Sequence, residues 1–109
     1  MKATRSYNVQ IWCGLQKQYT DTVYSITDVR RICDEYVNEI KDCVTITPTE
    51  YRYVGGHEEG VLIGWINYPR FPRKRREIRR RAFILAGRLK EELEQYKVSI
   101  VTPNKTYMI

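Results

Sequence analysis

The sequence predicts an α+β fold of the ferredoxin-like, split β-α-β type. Two helices would cover one face of a four-stranded antiparallel sheet, and a short extra strand would follow at the C-terminus. Three observations lead there. Two long segments repeat apolar residues at three- and four-residue steps. Four short segments alternate, or run apolar, over strand lengths. Their order is strand, helix, strand, strand, helix, strand.

The first strand is expected over Tyr7–Cys13, where Tyr7, Val9, Ile11 and Cys13 share one face. Gly14 to Tyr24 is polar and reads as a loop around Thr20, Asp21 and Thr22. Ser25-Ile26-Thr27-Asp28 then has the form of a capping box, in which Ser25 satisfies a free N–H of the new helix. Ile26, Val29, Ile32, Cys33, Tyr36, Val37 and Ile40 form the buried stripe of that helix.

Cys43–Thr47 is rich in β-branched residues and Tyr51–Val54 resumes the pattern after Pro48. A proline cannot donate to a ladder, so it marks an edge, a bulge or a break. Gly55-Gly56-His57-Glu58-Glu59-Gly60 reads as a solvated turn. Val61 to Tyr68 follows as a central strand, apolar on both faces as far as Ile66. Gly64 within it suggests a close approach by a backbone or a side chain. The second helix is expected to begin at Pro72 or Arg73. Ile78, Ala82, Leu85, Ala86, Leu89, Leu93 and Tyr96 fall in one sector of its wheel. Lys97–Thr102 is the last main strand, and Thr106–Ile109 adds the short one after a turn at Pro103-Asn104-Lys105.

A chain of 109 residues suits a single domain, 1–109. No apolar run reaches the ~18–20 residues of a membrane span, and the first residues lack a secretory signal, so a cytoplasmic protein is expected. Three cysteines without a C-x-x-C pair signal neither a disulfide framework nor a zinc knuckle. Cys13 and Cys33 read as small core residues. His57, the single histidine, lies beside two carboxylates on the expected turn, which makes a weak metal site; no metal and no cofactor are expected. Neither a nucleophile–base grouping nor a phosphate loop is present.

Charge is the most informative feature. Arg70 to Arg81 reads R-F-P-R-K-R-R-E-I-R-R-R and holds eight of the nineteen Lys and Arg residues but one of the thirteen acids. It sums to +7, and the other residues to −1. Arg exceeds Lys seven to one in this basic patch. The pairs Arg75–Arg79, Arg76–Arg79, Arg76–Arg80 and Arg73–Arg76 repel on a helix, and only Glu77 is close in sequence to offset them. The start of this arginine-rich helix has no Ser, Thr, Asp or Asn cap, and it already carries positive potential. An anion there would relieve the repulsion, and guanidinium forks match phosphate oxygens. Arg70, Arg73, Arg75, Arg76, Arg79 and Arg80 are therefore candidate phosphate-binding residues. Tyr68, Phe71, Trp65, Tyr51 and Tyr53 are candidate stacking rings. Phe83, Ile84 and Gly87 lie opposite the core stripe and are expected to meet a second subunit, making a homo-oligomer.

These observations favour a non-catalytic binder of a phosphorylated small ligand, a nucleotide or cyclic nucleotide. Small phage proteins that sequester signalling nucleotides offer an analogy in size, charge and assembly. One alternative is an RNA- or DNA-binding domain that lays helix 73–81 on phosphates. The expected third strand, Gly60–Tyr68, does not carry the aromatic signature of RNA-recognition domains. Another is an interaction protein covering an acidic partner. The size and element order are similar to those of acylphosphatases, which cradle phosphate with an Arg in the loop after the first strand. Here that loop is Gly14-Leu15-Gln16-Lys17-Gln18, without the Arg, so no enzymatic role is expected.

Overall fold

The computed structural model describes residues 1–17 and 20–109; Gln18 and Tyr19, part of the expected 14–24 loop, lie outside the described residues. The elements are β1 (Val9–Gly14), α1 (Ile26–Ile40), β2 (Thr45–Tyr53), β3 (Gly56–Trp65), α2 (Arg75–Glu92), β4 (Ser99–Val101) and β5 (Thr106–Met108). The strands form one antiparallel sheet in the order β2-β3-β1-β4-β5. The expected α+β, split β-α-β architecture is present, with β5 as the extra strand beyond β4. Both helices lie on one face. Val9, Ile11, Cys13, Val61, Ile63, Trp65 and Ile100 of the sheet are buried together with Val29, Ile32 and Tyr36 of α1 and Ile78, Ala82, Leu85 and Leu89 of α2.

Local chemistry sets the helix bounds. Ser25 and Asp28 form the expected capping box, with the Ser25 N–H donating to Asp28 Oδ2 at 2.9 Å. Helix α1 stops at Lys41, whose φ of 64° is left-handed. Helix α2 starts at Arg75, two or three residues later than expected. Arg73 is held outside it because its backbone N–H donates to Asn67 Oδ1 at 2.9 Å, and Lys74 takes the cap position without a side-chain bond. The helix ends near Leu93, and Glu94 turns at a φ of 51°. Tyr96, expected at the end of the buried stripe, therefore lies past the helix and is exposed.

One strand expectation is narrowed and one changes. Of the edge, bulge or break that Pro48 could mark, it marks the edge: β2 is the edge strand, has no neighbour on its far side to miss the N–H, and runs on through Pro48. The turn expected over 55–60 is shorter, with Val54 and Gly55 making the reversal and Gly55 at a φ of 87°. His57, Glu58 and Glu59 are paired strand residues opposite Arg52, Tyr51 and Glu50. Among the described residues, no helix is long and apolar enough to cross a membrane.

Asp42 ties these pieces together. It follows α1, and its side chain is 1% exposed. It accepts hydrogen bonds from Tyr36 Oη at 2.6 Å, Trp65 Nε1 at 2.9 Å, the Cys43 N–H at 2.8 Å and Arg73 Nη1 at 2.8 Å. Arg81 Nη1 stands 3.5 Å away. Burial by itself would raise the Asp42 carboxyl. The bonds from Tyr36, Trp65, Cys43 and Arg73 outweigh it and hold the group below its ordinary value.

Asp42→Asn is expected to destabilise the fold by about 3 kcal/mol at neutral pH, as when one partner of a buried ion pair is lost. The folded carboxyl lies below its ordinary value of 3.8, so its contribution is complete above that pH and is lost as the pH falls through the lower folded value. Urea unfolding of both proteins at a series of pH values should show the difference shrinking on acidification. Equal stabilities at pH 7 would show that the carboxylate is not the tie.

Candidate active site

Strand parity decides what reaches the open face. Trp65, Ile63 and Val61 of β3 point to the helices, so Gly64, Leu62, Gly60 and Glu58 point away. In register beside them on that face are Gln10, Trp12 and Gly14 of β1, and Thr45, Thr47, Thr49 and Tyr51 of β2. Ser99 and Val101 of β4 continue the row.

Glycines make room on this face. A Cβ at Gly60 would collide with the Tyr51 ring and meet the Cys13 carbonyl oxygen at 3.0 Å. One at Gly14 would collide with Glu58 Oε1, and one at Gly64 would come within 2.6 Å of Thr45 Oγ1. The Tyr51 ring and the Glu58 carboxylate therefore lie down over bare backbone instead of standing up from it.

They border a cavity of about 630 Å³, within the usual range for small-molecule sites. Trp12, Gly14, Tyr51, Glu58, Ser99 and Val101 form its sheet side, and Gln16, Lys17, Gln95, Tyr96 and Lys97 its rim. The Trp12 and Tyr51 rings are 6.4 Å apart and inclined at 59°. Gln95 Nε2 donates to the carbonyls of Gln16 at 2.8 Å and Leu93 at 2.9 Å. Its Oε1, like the Glu58 carboxylate, lies over Gly14, 3.0 Å from where a Cβ there would stand.

Glu58 is half-buried and has no hydrogen bond or ion pair among the described residues. Its neighbours register its charge. Burial first, then Cys13 and Glu58, raise the Tyr51 phenol above its ordinary value. Burial and then Glu58 push the Cys13 thiol up to about 12, so it stays protonated at neutral pH. At the rim Lys17 pairs with Glu94 at 3.3 Å, and Lys97 Nζ lies 5.3 Å from the centre of the Tyr96 ring. One end of the cavity thus offers oxygen acceptors and aromatic faces, and the rim offers ammonium groups. A ligand with a flat ring and a positive centre suits the first part, and a carboxylate suits the second.

The sequence-derived candidates are scattered relative to this cavity. Tyr51 borders it. Tyr53 lies further along the edge strand, largely exposed, with its ring above Gly56. Trp65 is not a stacking surface: it is 1% exposed and bonded to Asp42 on the helix side. Tyr68 and Phe71 are exposed near α2, away from the cavity lining, and Arg70 lies over the Phe71 ring at 5.4 Å. None of Arg70, Arg73, Arg75, Arg76, Arg79 and Arg80 lines the cavity. Phe83 and Ile84 are half-buried against the core rather than free for a partner. Tyr107 of β5 meets the Phe83 ring edge-on, with centroids 5.1 Å apart, while Gly87 stays open.

The cavity residues Glu58, Trp12, Gln95, Lys17 and Lys97 are not among the sequence-derived candidates. The signal for Trp12 was present, since it has the opposite parity to Val9, Ile11 and Cys13 on a strand half-buried by that pattern. Glu58 was hidden by the glycines on either side, which imitate a loop.

No protein-family model matches the chain, and no curated protein does. Two solved structures share its fold. A phage SAM lyase in complex with S-methyl-5′-thioadenosine aligns with a TM-score of 0.82 at 16% identity, covering 100% of this chain and 92% of that one. A phage SAM lyase in the apo state aligns with a TM-score of 0.74 at 20% identity, covering 94% and 87%. The likeness fits the coarse expectation of a phage-type ligand-binding fold. It corrects the expectation of a non-catalytic protein, because both matched structures are enzymes.

Gly60→Ala is expected to fold and to displace the Tyr51 ring, because the added Cβ would collide with that ring and meet the Cys13 carbonyl oxygen at 3.0 Å. A crystal structure of the variant would measure the displacement. An unmoved Tyr51 ring would show that Gly60 is not there to admit it.

Proposed function

We propose that this chain is a lyase that cleaves S-adenosylmethionine in the open-face cavity. The observation that carries the reading is the Glu58 carboxylate, without a hydrogen bond or ion pair among the described residues, beside the Trp12 and Tyr51 rings in a cavity of nucleoside size. The fold likeness supports it, as does the nucleoside named in one matched structure.

S-adenosylmethionine has an adenine ring, a sulfonium cation and an amino-acid end. Adenine is a flat ring suited to Trp12 and Tyr51. The sulfonium has no N–H to donate, so it is recognised by charge and polarisable faces, which Glu58, Gln95 Oε1 and the rings supply. Lys17 and Lys97 at the rim suit the α-carboxylate. Cleavage to S-methyl-5′-thioadenosine moves the electron pair of the S–C bond onto sulfur, and the positive charge disappears. The remaining fragment can satisfy its carbon by closing its own carboxylate oxygen onto it. That route uses neither water nor a redox partner and needs no proton transfer from the protein. The work left to the chain is to hold the reacting atoms in line, an orientation effect. The ligand of this reading carries no phosphate, so the arginines of α2 are not needed for it.

A carboxylate facing the cavity distinguishes the charged substrate from its neutral product. It strengthens binding of the first and leaves the second to the rings, which favours release. The cavity is open on its outer side, and the proposal includes a homo-oligomer in which a second copy lies across it and excludes water.

Glu58→Gln should lose about tenfold or more in affinity for S-adenosylmethionine, about 1.4 kcal/mol, with little change for S-methyl-5′-thioadenosine. Equal losses for both ligands would remove Glu58 from sulfonium recognition. Incubation of the native protein with S-adenosylmethionine should yield S-methyl-5′-thioadenosine by chromatography, and absence of that product would overturn the lyase reading. Native mass spectrometry should report more than one subunit; a monomer that still turns over would discard the shared cavity.

A further inference from the structure

The eight cations of Arg70–Arg81 divide into two groups. Arg73 binds Asp42 at 2.8 Å, and Arg81 binds Glu77 at 2.9 Å and Asp42 at 3.5 Å. Arg80 takes the same Glu77 oxygen at 3.0 Å, and Arg70 rests on Phe71. Lys74, Arg75, Arg76 and Arg79 remain. All four are exposed, and none has an acidic partner among the described residues.

Arg75, Arg76 and Arg79 stand at i,i+3 and i,i+4 spacing in the first turns of α2, with Cβ atoms ~5–6 Å apart. Their mutual repulsion has no offset within the fold. The acids that could supply one, Asp42 and Glu77, are already committed to Arg73, Arg80 and Arg81. All three are arginines, whose forks match phosphate oxygens in pairs.

We propose that this ridge is a docking surface for nucleic acid, gripping the sugar–phosphate backbone and not the bases. Charge complementarity selects the partner. A duplex carries one negative charge per ~1.7 Å of axis, so a ridge rising ~6 Å along the helix meets about three. An anionic membrane fits less well, because surface-seeking helices set large apolar residues beside their cations. Here Phe83 is tucked under Tyr107 and Gly87 has no side chain to insert, while the exposed Tyr68 and Phe71 lie with Arg73 and Arg81, not with Arg75, Arg76 and Arg79. The ridge is separate from the open-face cavity, which none of these residues lines, so the inference does not depend on the lyase reading.

The test is fluorescence anisotropy with a labelled DNA duplex of about 20 base pairs and an RNA strand of similar length, from ~50 to 200 mM salt. The native protein should bind, with affinity falling steeply as salt rises. The triple variant Arg75→Ala, Arg76→Ala, Arg79→Ala should bind at least tenfold more weakly at the lowest salt. Its log–log salt slope on duplex should be shallower by about two to three. Circular dichroism and binding of S-methyl-5′-thioadenosine should not change, and if the triple variant fails to fold, Arg75→Gln with Arg79→Gln serves in its place. No binding by the native protein at the lowest salt, or equal binding by the variant, would overturn the proposal. So would tighter retention on phosphatidylserine vesicles or on polyglutamate than on either nucleic acid.

Discussion

The structure depends on one buried carboxylate. Asp42 receives a phenol from α1, an indole from β3, a guanidinium from the loop before α2 and another from α2 itself. A charge at 1% exposure is tolerable only with such a full set of donors, since desolvation alone would be costly. The set also fixes parity. With the Trp65 indole held to Asp42, every second residue of β3 back to Gly56 is assigned to a face, and a shift of one residue would turn Glu58 and Gly60 into the core. The cavity on one side of the sheet is thus registered by a bond on the other.

The same carboxylate explains the arginine-rich segment better than its sequence does. The near-sequence accounting found one acid for eight cations, and tertiary structure supplies the second from 31 residues away. Half of the apparent excess is structural: Arg73 and Arg81 anchor α2, Arg80 shares Glu77, and Arg70 covers a ring. Charge counting along a chain cannot see this, because an ion pair across the fold leaves no local trace.

Periodicity made most of the fold legible. The stripes of α1 and α2, the Ser25–Asp28 box and the parity of β1 are strong because each reports burial on one side of an element. The failures share a cause. Gly55 to Gly60 looked like a turn because glycine usually marks one, yet only Gly55 has a positive φ. Gly60 and Gly14 are there for what lies above them, the Tyr51 ring and the Glu58 carboxylate. A glycine that admits a side chain from a neighbouring strand looks the same in sequence as one that bends the backbone. Trp65 and Phe83 were misplaced for a related reason, since the partners that cover them, Asp42 and Tyr107, are 23 and 24 residues distant.

The proposed uptake of a sulfonium by a basic protein requires the two fields to be kept apart, and this fold separates them. The free arginines stand on α2, in the helix layer, and Glu58 stands on the opposite face of the sheet. A helix with its side chains is ~10–12 Å thick, which already exceeds the ~8 Å Debye length at physiological salt. The ridge would therefore repel the proposed sulfonium only weakly at the cavity, while Glu58 borders that cavity in a half-buried setting where screening is poor. An overall charge of +6 describes neither surface. The sheet between them makes two opposite local potentials compatible, and Asp42, which holds α2 to that sheet, maintains the separation.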